Sequence, residues 1–184
     1  PGVNALRTPI YAEMIKIVNS GEVTFEDYKF DSVNIIKTFD NYGFYNRRPI
    51  TKSMLTWWAF KDNNQKLISL EDVFEIEHIY AKNRQDMDQS LSNKENVELL
   101  GNKILLEKRI NIRASDYRFS DKKKYYKGFT TEHGITKVGT QIYELIKYAN
   151  DDILDFSEKD IFDRNKTIVD SFLHYLEINN LIKS

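Results

Sequence analysis

The chain has 184 residues, enough for one domain with its own core or for a small domain fused to a helical partner. Hydrophobic residues make up 41%, charged residues 30% and aromatic residues 13%, a globular composition that excludes wholesale disorder. Cysteine is absent, which excludes disulfides and thiolate zinc sites, so a bound metal has to use His, Asn and carboxylate ligands, a set that suits Mg2+ or Mn2+. No apolar run approaches the roughly 20 residues a membrane-spanning helix needs, and no signal pattern opens the chain, so a cytoplasmic protein without membrane contact is expected. The start at Pro1-Gly2, without Met, predicts a piece of a longer protein.

In chain order, Thr8 and Pro9 predict a helix start and Gly21 its stop. Residues 24–42 place Val33, Ile36 and Phe39 at helical spacing before Gly43. Thr51 predicts the cap of a third helix, whose MLTWWAF run is apolar nearly all round and puts Trp57 and Trp58 in a core. VFEIEHI alternates and is rich in β-branched and aromatic residues, as a strand should be. A long polar loop follows over 81–96, then a turn at Gly101-Asn102, a short strand from Lys103 to Leu106 and a helical stretch over 107–117. Ser120 predicts the cap of another helix, and two more are expected at about 138–149 and 158–179. The expected fold is α+β, mostly helical with a central strand–strand–helix element. Three regions follow: helices over 1–68, a ββα core over 69–130, and C-terminal helices over 131–184 that pack on the core.

The net charge of -1 hides an asymmetry. Between Gly101 and Lys127 nine basic residues face three acidic ones, a balance of +6, whereas from Asn150 onward acids outnumber bases. Lys108, Arg109, Arg113, Lys122, Lys123 and Lys124 are therefore the candidates for holding a polyanion, with Tyr125 and Tyr126 interleaved. Phosphate contacts of this kind carry no sequence information.

The central stretch resembles the HNH, or His-Me finger, nucleases, and more narrowly the HNH-like C-terminal domain of GmrSD-type, modification-dependent restriction enzymes. The matching pieces are Glu77-His78-Ile79, Asn96 with Leu99-Gly101-Asn102, Leu105-Leu106-Glu107, Asn111, Ala114-Ser115, Phe119, Lys122 or Lys124, and Tyr125 or Tyr126. The step from Asn102 to Asn111 is that of other HNH nucleases. The resemblance implies a ββα-metal element and a Mg2+-dependent DNA endonuclease or nickase of a bacterial phage-defence enzyme, with Mn2+ as the other candidate ion. His78 would be the general base, Asn102 would orient His78 or the scissile phosphate, and Glu77 and Asn111 would hold the ion. It also implies a nucleotide-hydrolysing, ParB-like partner domain outside this chain.

Elementary chemistry supports parts of this. An imidazole titrates near neutrality, as a general base should, and an asparagine inside a helix is unfavourable by roughly 0.5 kcal/mol relative to alanine, so Asn111 asks for a compensating role. Glu107 lies four residues before Asn111 and has either the ion or Lys103 and Lys108 as partners. Adjacent strand residues point to opposite faces, so Glu77 and His78 share an ion only if the strand ends or bends at His78. His133 and His174 have no acid-His context and are expected to be structural or exposed. Two rival functions keep the same fold: a non-catalytic module that binds nucleic acid or a partner, and an RNase.

Overall fold

The computed structural model describes residues 3–19, 21, 29–69 and 71–183. They group into two compact units, one made by the described residues up to Tyr42 with those from Val169 on, the other by Gly43–Ile168. The sequence boundaries at 68/69 and 130/131 both fall inside the second unit, where helices on either side of them pack on the central strands and on one another.

The first unit contains helix α1, Val3–Val18, and helix α2, Ser32–Asn41. α1 starts five residues before the predicted Thr8 cap and runs through Pro9. α2 starts where Asp31, in an extended conformation, accepts a hydrogen bond from the Asn34 N–H at 2.8 Å. It is therefore shorter than the predicted 24–42 helix, of which residues 24–28 lie outside the described residues. Phe39 is buried and meets Phe172 edge-on, with ring centroids 5.8 Å apart.

The second unit opens with helix α3, Pro49–Lys61. Pro49 sits in its first turn, where a missing N–H is harmless. Thr51 is not the cap: it lies inside the helix, and its hydroxyl donates to the Tyr45 carbonyl at 3.0 Å. Thr51, Met54, Leu55 and Ala59 form the buried stripe. The two tryptophans are only half-buried, and the Trp58 indole donates to Glu144 at 2.9 Å.

Strands β1, Phe74–His78, and β2, Lys103–Glu107, pair antiparallel in a register that runs from Phe74 opposite Glu107 to His78 opposite Lys103. The 81–96 stretch between them is not a plain loop. It forms helix α4, Lys82–Asp88, and then two short 3-10 turns, Lys94–Glu98 and Leu100–Asn102, held in place by buried Leu91, Val97 and Leu100. β2 passes directly into helix α5, Lys108–Ala114, and then helix α6, Phe119–Lys127, so Ser120 lies within a helix rather than capping it. Strands β3, Gly128–Thr130, and β4, Thr136–Val138, form a second antiparallel pair. Because β4 takes residues 136–138, helix α7 covers Tyr143–Asn150 and starts later than predicted. Helix α8, Glu158–Ile178, agrees with the predicted span to one residue.

The fold is α+β and mostly helical, as the sequence predicts. Its core lies around β2, where Ile104, Leu105 and Leu106 are buried with Ile110 of α5, Phe119 of α6 and Ile161 of α8. A Cβ added to Gly101 would lie 2.0 Å from the Ile161 carbonyl oxygen, so only glycine lets α8 approach the turn before β2 this closely. Among the described residues no helix is long and apolar enough to cross a membrane.

Candidate active site

β1 is regular to its end, so its side chains alternate. Phe74, Ile76 and His78 lie on one face, Glu75 and Glu77 on the other. The bend that would let Glu77 and His78 share one ion is absent, because His78 is still in register with Lys103.

On the Glu77 side the carboxylate is buried. Its Oε1 accepts from the Lys122 ammonium at 2.7 Å and from the Tyr126 hydroxyl at 3.0 Å. The same ammonium donates to the His78 carbonyl at 2.7 Å, so α6 is pinned to the end of β1 by a dry ion pair. Burial, together with the Glu77 charge, pushes the Tyr126 phenol well above its usual value and keeps it a hydrogen-bond donor.

On the His78 side the ring keeps 16% of its side-chain surface in solvent. Nε2 is buried and has no hydrogen bond. Glu98 Oε2 lies 3.5 Å from it, longer than an ordinary hydrogen bond. That oxygen accepts from Lys103 Nζ at 2.5 Å, and Lys103 also donates to Asn46 Oδ1 at 2.6 Å. Lys82 donates to the other Glu98 oxygen at 3.1 Å. Burial holds the imidazole below its usual pKa; Glu98 pulls the other way and the Lys103 charge again lowers it. His78 is therefore neutral at physiological pH and able to accept a proton. Burial raises the Glu98 carboxyl, but His78 and Lys103 outweigh it and hold it far below the carboxylate range.

Asn102 shapes this corner without reaching solvent. It is 0% exposed, its Oδ1 accepts from the Tyr80 N–H at 2.7 Å, and its Nδ2 donates to the carbonyls of Tyr80 at 3.1 Å and Val97 at 2.9 Å. All of its polar capacity is spent on the backbone on either side of His78 and Glu98. Arg164 of α8 holds the same turn from behind, donating through Nη1 to the carbonyls of Leu100, Gly101 and Lys103 at 3.2, 2.9 and 2.8 Å. Its Nε and Nη2 donate to Glu144 at 2.7 and 2.9 Å.

The expected ion seat does not fit the geometry. The position between the Glu77 carboxylate and the His78 carbonyl holds an ammonium, and the Asn111 amide donates to Glu75 at 3.0 Å rather than facing Glu77. Glu107 accepts from the Thr140 hydroxyl and the Gln141 N–H, both at 2.7 Å. Among the described residues no group of three or more His, Cys, Asp and Glu side chains is placed to hold a metal.

The basic candidates divide by burial. Lys122 is 1% exposed, and Lys123 spends its three donors on Asp151 and on the carbonyls of Asp151 and Ile153, so neither is free for phosphate. These positions on α6 face the core and the acidic segment before α8. Arg113 donates to the Val138 carbonyl at 3.1 Å. Lys108 and Arg109 are exposed beside Glu75 and Asp72, at 3.5 and 3.9 Å, and Lys124 lies over the Tyr125 and Phe129 rings. His133 and His174 are exposed, as expected.

Glu98, Lys103 and Arg164 were not singled out by the sequence. Glu98 does carry a signal, since it is an acid between Val97 and Leu99-Leu100 in an otherwise apolar run that ends in Gly101-Asn102. Arg164 carries none: it is one base on an acidic, amphipathic helix.

A family model described as GmrSD restriction endonucleases, C-terminal domain, matches residues 20–170, well over half of the chain, and the chain belongs to that family. It is thus a restriction-endonuclease-related domain whose family acts on DNA. Searches of curated proteins and of solved structures found no match.

Proposed function

We propose that this domain hydrolyses DNA phosphodiesters, as an endonuclease or nickase of the HNH type, with His78 as general base. The observation that supports this reading is the mostly buried, neutral imidazole of His78, which keeps part of its surface in solvent beside Glu98, in a chain of the GmrSD family. In the reaction His78 takes a proton from water, the water oxygen bonds to phosphorus, and the bond from phosphorus to the 3′ oxygen breaks. The leaving oxygen is protonated by solvent. Lys108, Arg109 and Lys124 are the remaining bases for the DNA backbone. Mg2+ or Mn2+, which the resemblance implies, has no seat at Glu77 and Asn111 as these residues stand, so no step is routed through an ion. A nucleotide-hydrolysing partner domain belongs to the same proposal.

Nicking of supercoiled plasmid in Mg2+, Mn2+ or chelator, beside His78→Ala, tests the reading. Wild type should nick, and the variant should lose roughly 100- to 10,000-fold in rate. Equal rates in both proteins would remove His78 from the chemistry, and digestion of RNA instead of DNA would change the substrate. The Glu77–Lys122 ion pair favours one rival, a non-catalytic nucleic-acid-binding module; DNA binding without nicking under every condition would select it.

A further inference from the structure

We infer that Glu98 is the positioning residue that fixes His78 as its Nε2–H tautomer, which makes Nδ1 the basic nitrogen of the site. The inference rests on the reading of His78 as general base. It comes from a buried nitrogen that lacks a partner. His78 Nε2 has no hydrogen bond, and the Glu98 carboxylate faces it, with Oε2 at 3.5 Å. A neutral imidazole carries one proton, on either nitrogen. With the proton on Nδ1, the Nε2 lone pair would face a carboxylate in a buried corner, two acceptors with nothing between them. With the proton on Nε2, the N–H has an anionic acceptor 3.5 Å away, which a small adjustment of the ring brings into a hydrogen bond.

The carboxylate is itself held fast. Lys103, 0% exposed and opposite His78 in the strand register, binds Oε2, and Lys82 binds Oε1. Lys103 donates to Asn46, and Asn102 clamps the Val97 carbonyl next to Glu98 in sequence. Glu98 therefore has one place to stand, and the ring must answer to it. Nδ1 makes no hydrogen bond among the described residues, and the ring's remaining exposure leaves it open to water. When Nδ1 takes a proton, the imidazolium that forms stays beside the Glu98 charge. The arrangement follows the general logic in which a carboxylate on one ring nitrogen sets the tautomer and readies the other.

Long-range 1H–15N correlation spectra of the full chain at pH 8 test this, with His78→Asn used to assign the signals against His133 and His174. Wild type should show His78 with a protonated Nε2 and an unprotonated Nδ1. In Glu98→Gln, whose amide offers donor and acceptor alike, the preference should collapse toward a mixture. Should Glu98→Gln fail to fold because Lys103 loses its partner, Glu98→Gln with Lys103→Met removes both charges and is read in the same way. A wild-type Nδ1–H tautomer, or a population unchanged when Glu98 is replaced, overturns the inference. Plasmid nicking separates it from the proposed function. Glu98→Gln should slow nicking by roughly tenfold or more, short of the loss in His78→Ala. A wild type that never nicks would end the functional reading while leaving the tautomer result standing.

Discussion

Lys122 and Lys124 are two residues apart on one helix and have opposite roles. The first is sealed against Glu77, Tyr126 and the His78 carbonyl, and the second lies exposed over two rings. Lys122→Met should leave the Glu77 charge buried with only a phenol for company, at a cost of about 3–5 kcal/mol in urea unfolding. Lys124→Ala should stay within about 0.5 kcal/mol of wild type and instead weaken DNA binding with a shallower salt dependence, measured by titration at several salt concentrations. Asn102 gives a third contrast. Asn102→Ala removes three hydrogen bonds to buried backbone, about 3 kcal/mol at roughly 1 kcal/mol each, and denaturant unfolding should show that loss.

At the scale of elements, α8 matters to the site although none of its residues lies in it. Arg164 ties the carbonyls of Leu100, Gly101 and Lys103, at the entry to β2, to Glu144 of α7, and Gly101 lets the α8 backbone come close enough for that. Gly101→Ala should force these segments apart and lower stability by about 3 kcal/mol, seen as a lower urea midpoint. Arg164→Met with Glu144 intact should cost at least as much, since it leaves a carboxylate and three carbonyls without their donor. Both changes lie away from His78, so any loss of nicking they cause should track the fraction unfolded.

For the whole molecule, the paired carboxylates Glu144 and Glu98 are expected to set the acid limit. Burial pushes the Glu144 carboxyl up, but the Arg164 guanidinium, the Trp58 indole and Lys147 outweigh it and hold it below its usual 4.5. A carboxyl with a folded pKa below its unfolded one adds stability that is complete above the unfolded value and is lost as pH falls through the folded value. Glu98 has the same sign. Urea midpoints should therefore begin to fall below about pH 6.5, where the depressed His78 imidazole acts with the same sign, and fall steeply below about pH 4.5. Replacing the pair together, Glu144→Gln with Arg164→Met, should flatten that acid limb; an unchanged limb would assign it to other groups.

The sequence by itself determined the strongly periodic elements and the motif. α8 was legible because its apolar positions recur at helical spacing over 21 residues. β1 was legible from alternation, β2 from the turn at Gly101-Asn102 that precedes its short apolar run, and the family from Glu77-His78, Leu99-Gly101-Asn102 and Asn111. The short strands β3 and β4 were not, because three residues give too little alternation to count, and the Lys82–Asp88 helix was hidden by its polar composition. Tertiary structure alone decided which side chains meet. A motif fixes the order of residues, whereas burial and charge pairing fix their partners. Thus Glu77 turned to Lys122, Asn111 to Glu75, and His78 to Glu98, a residue 20 positions away that only the folding back of the strand connection brings beside it.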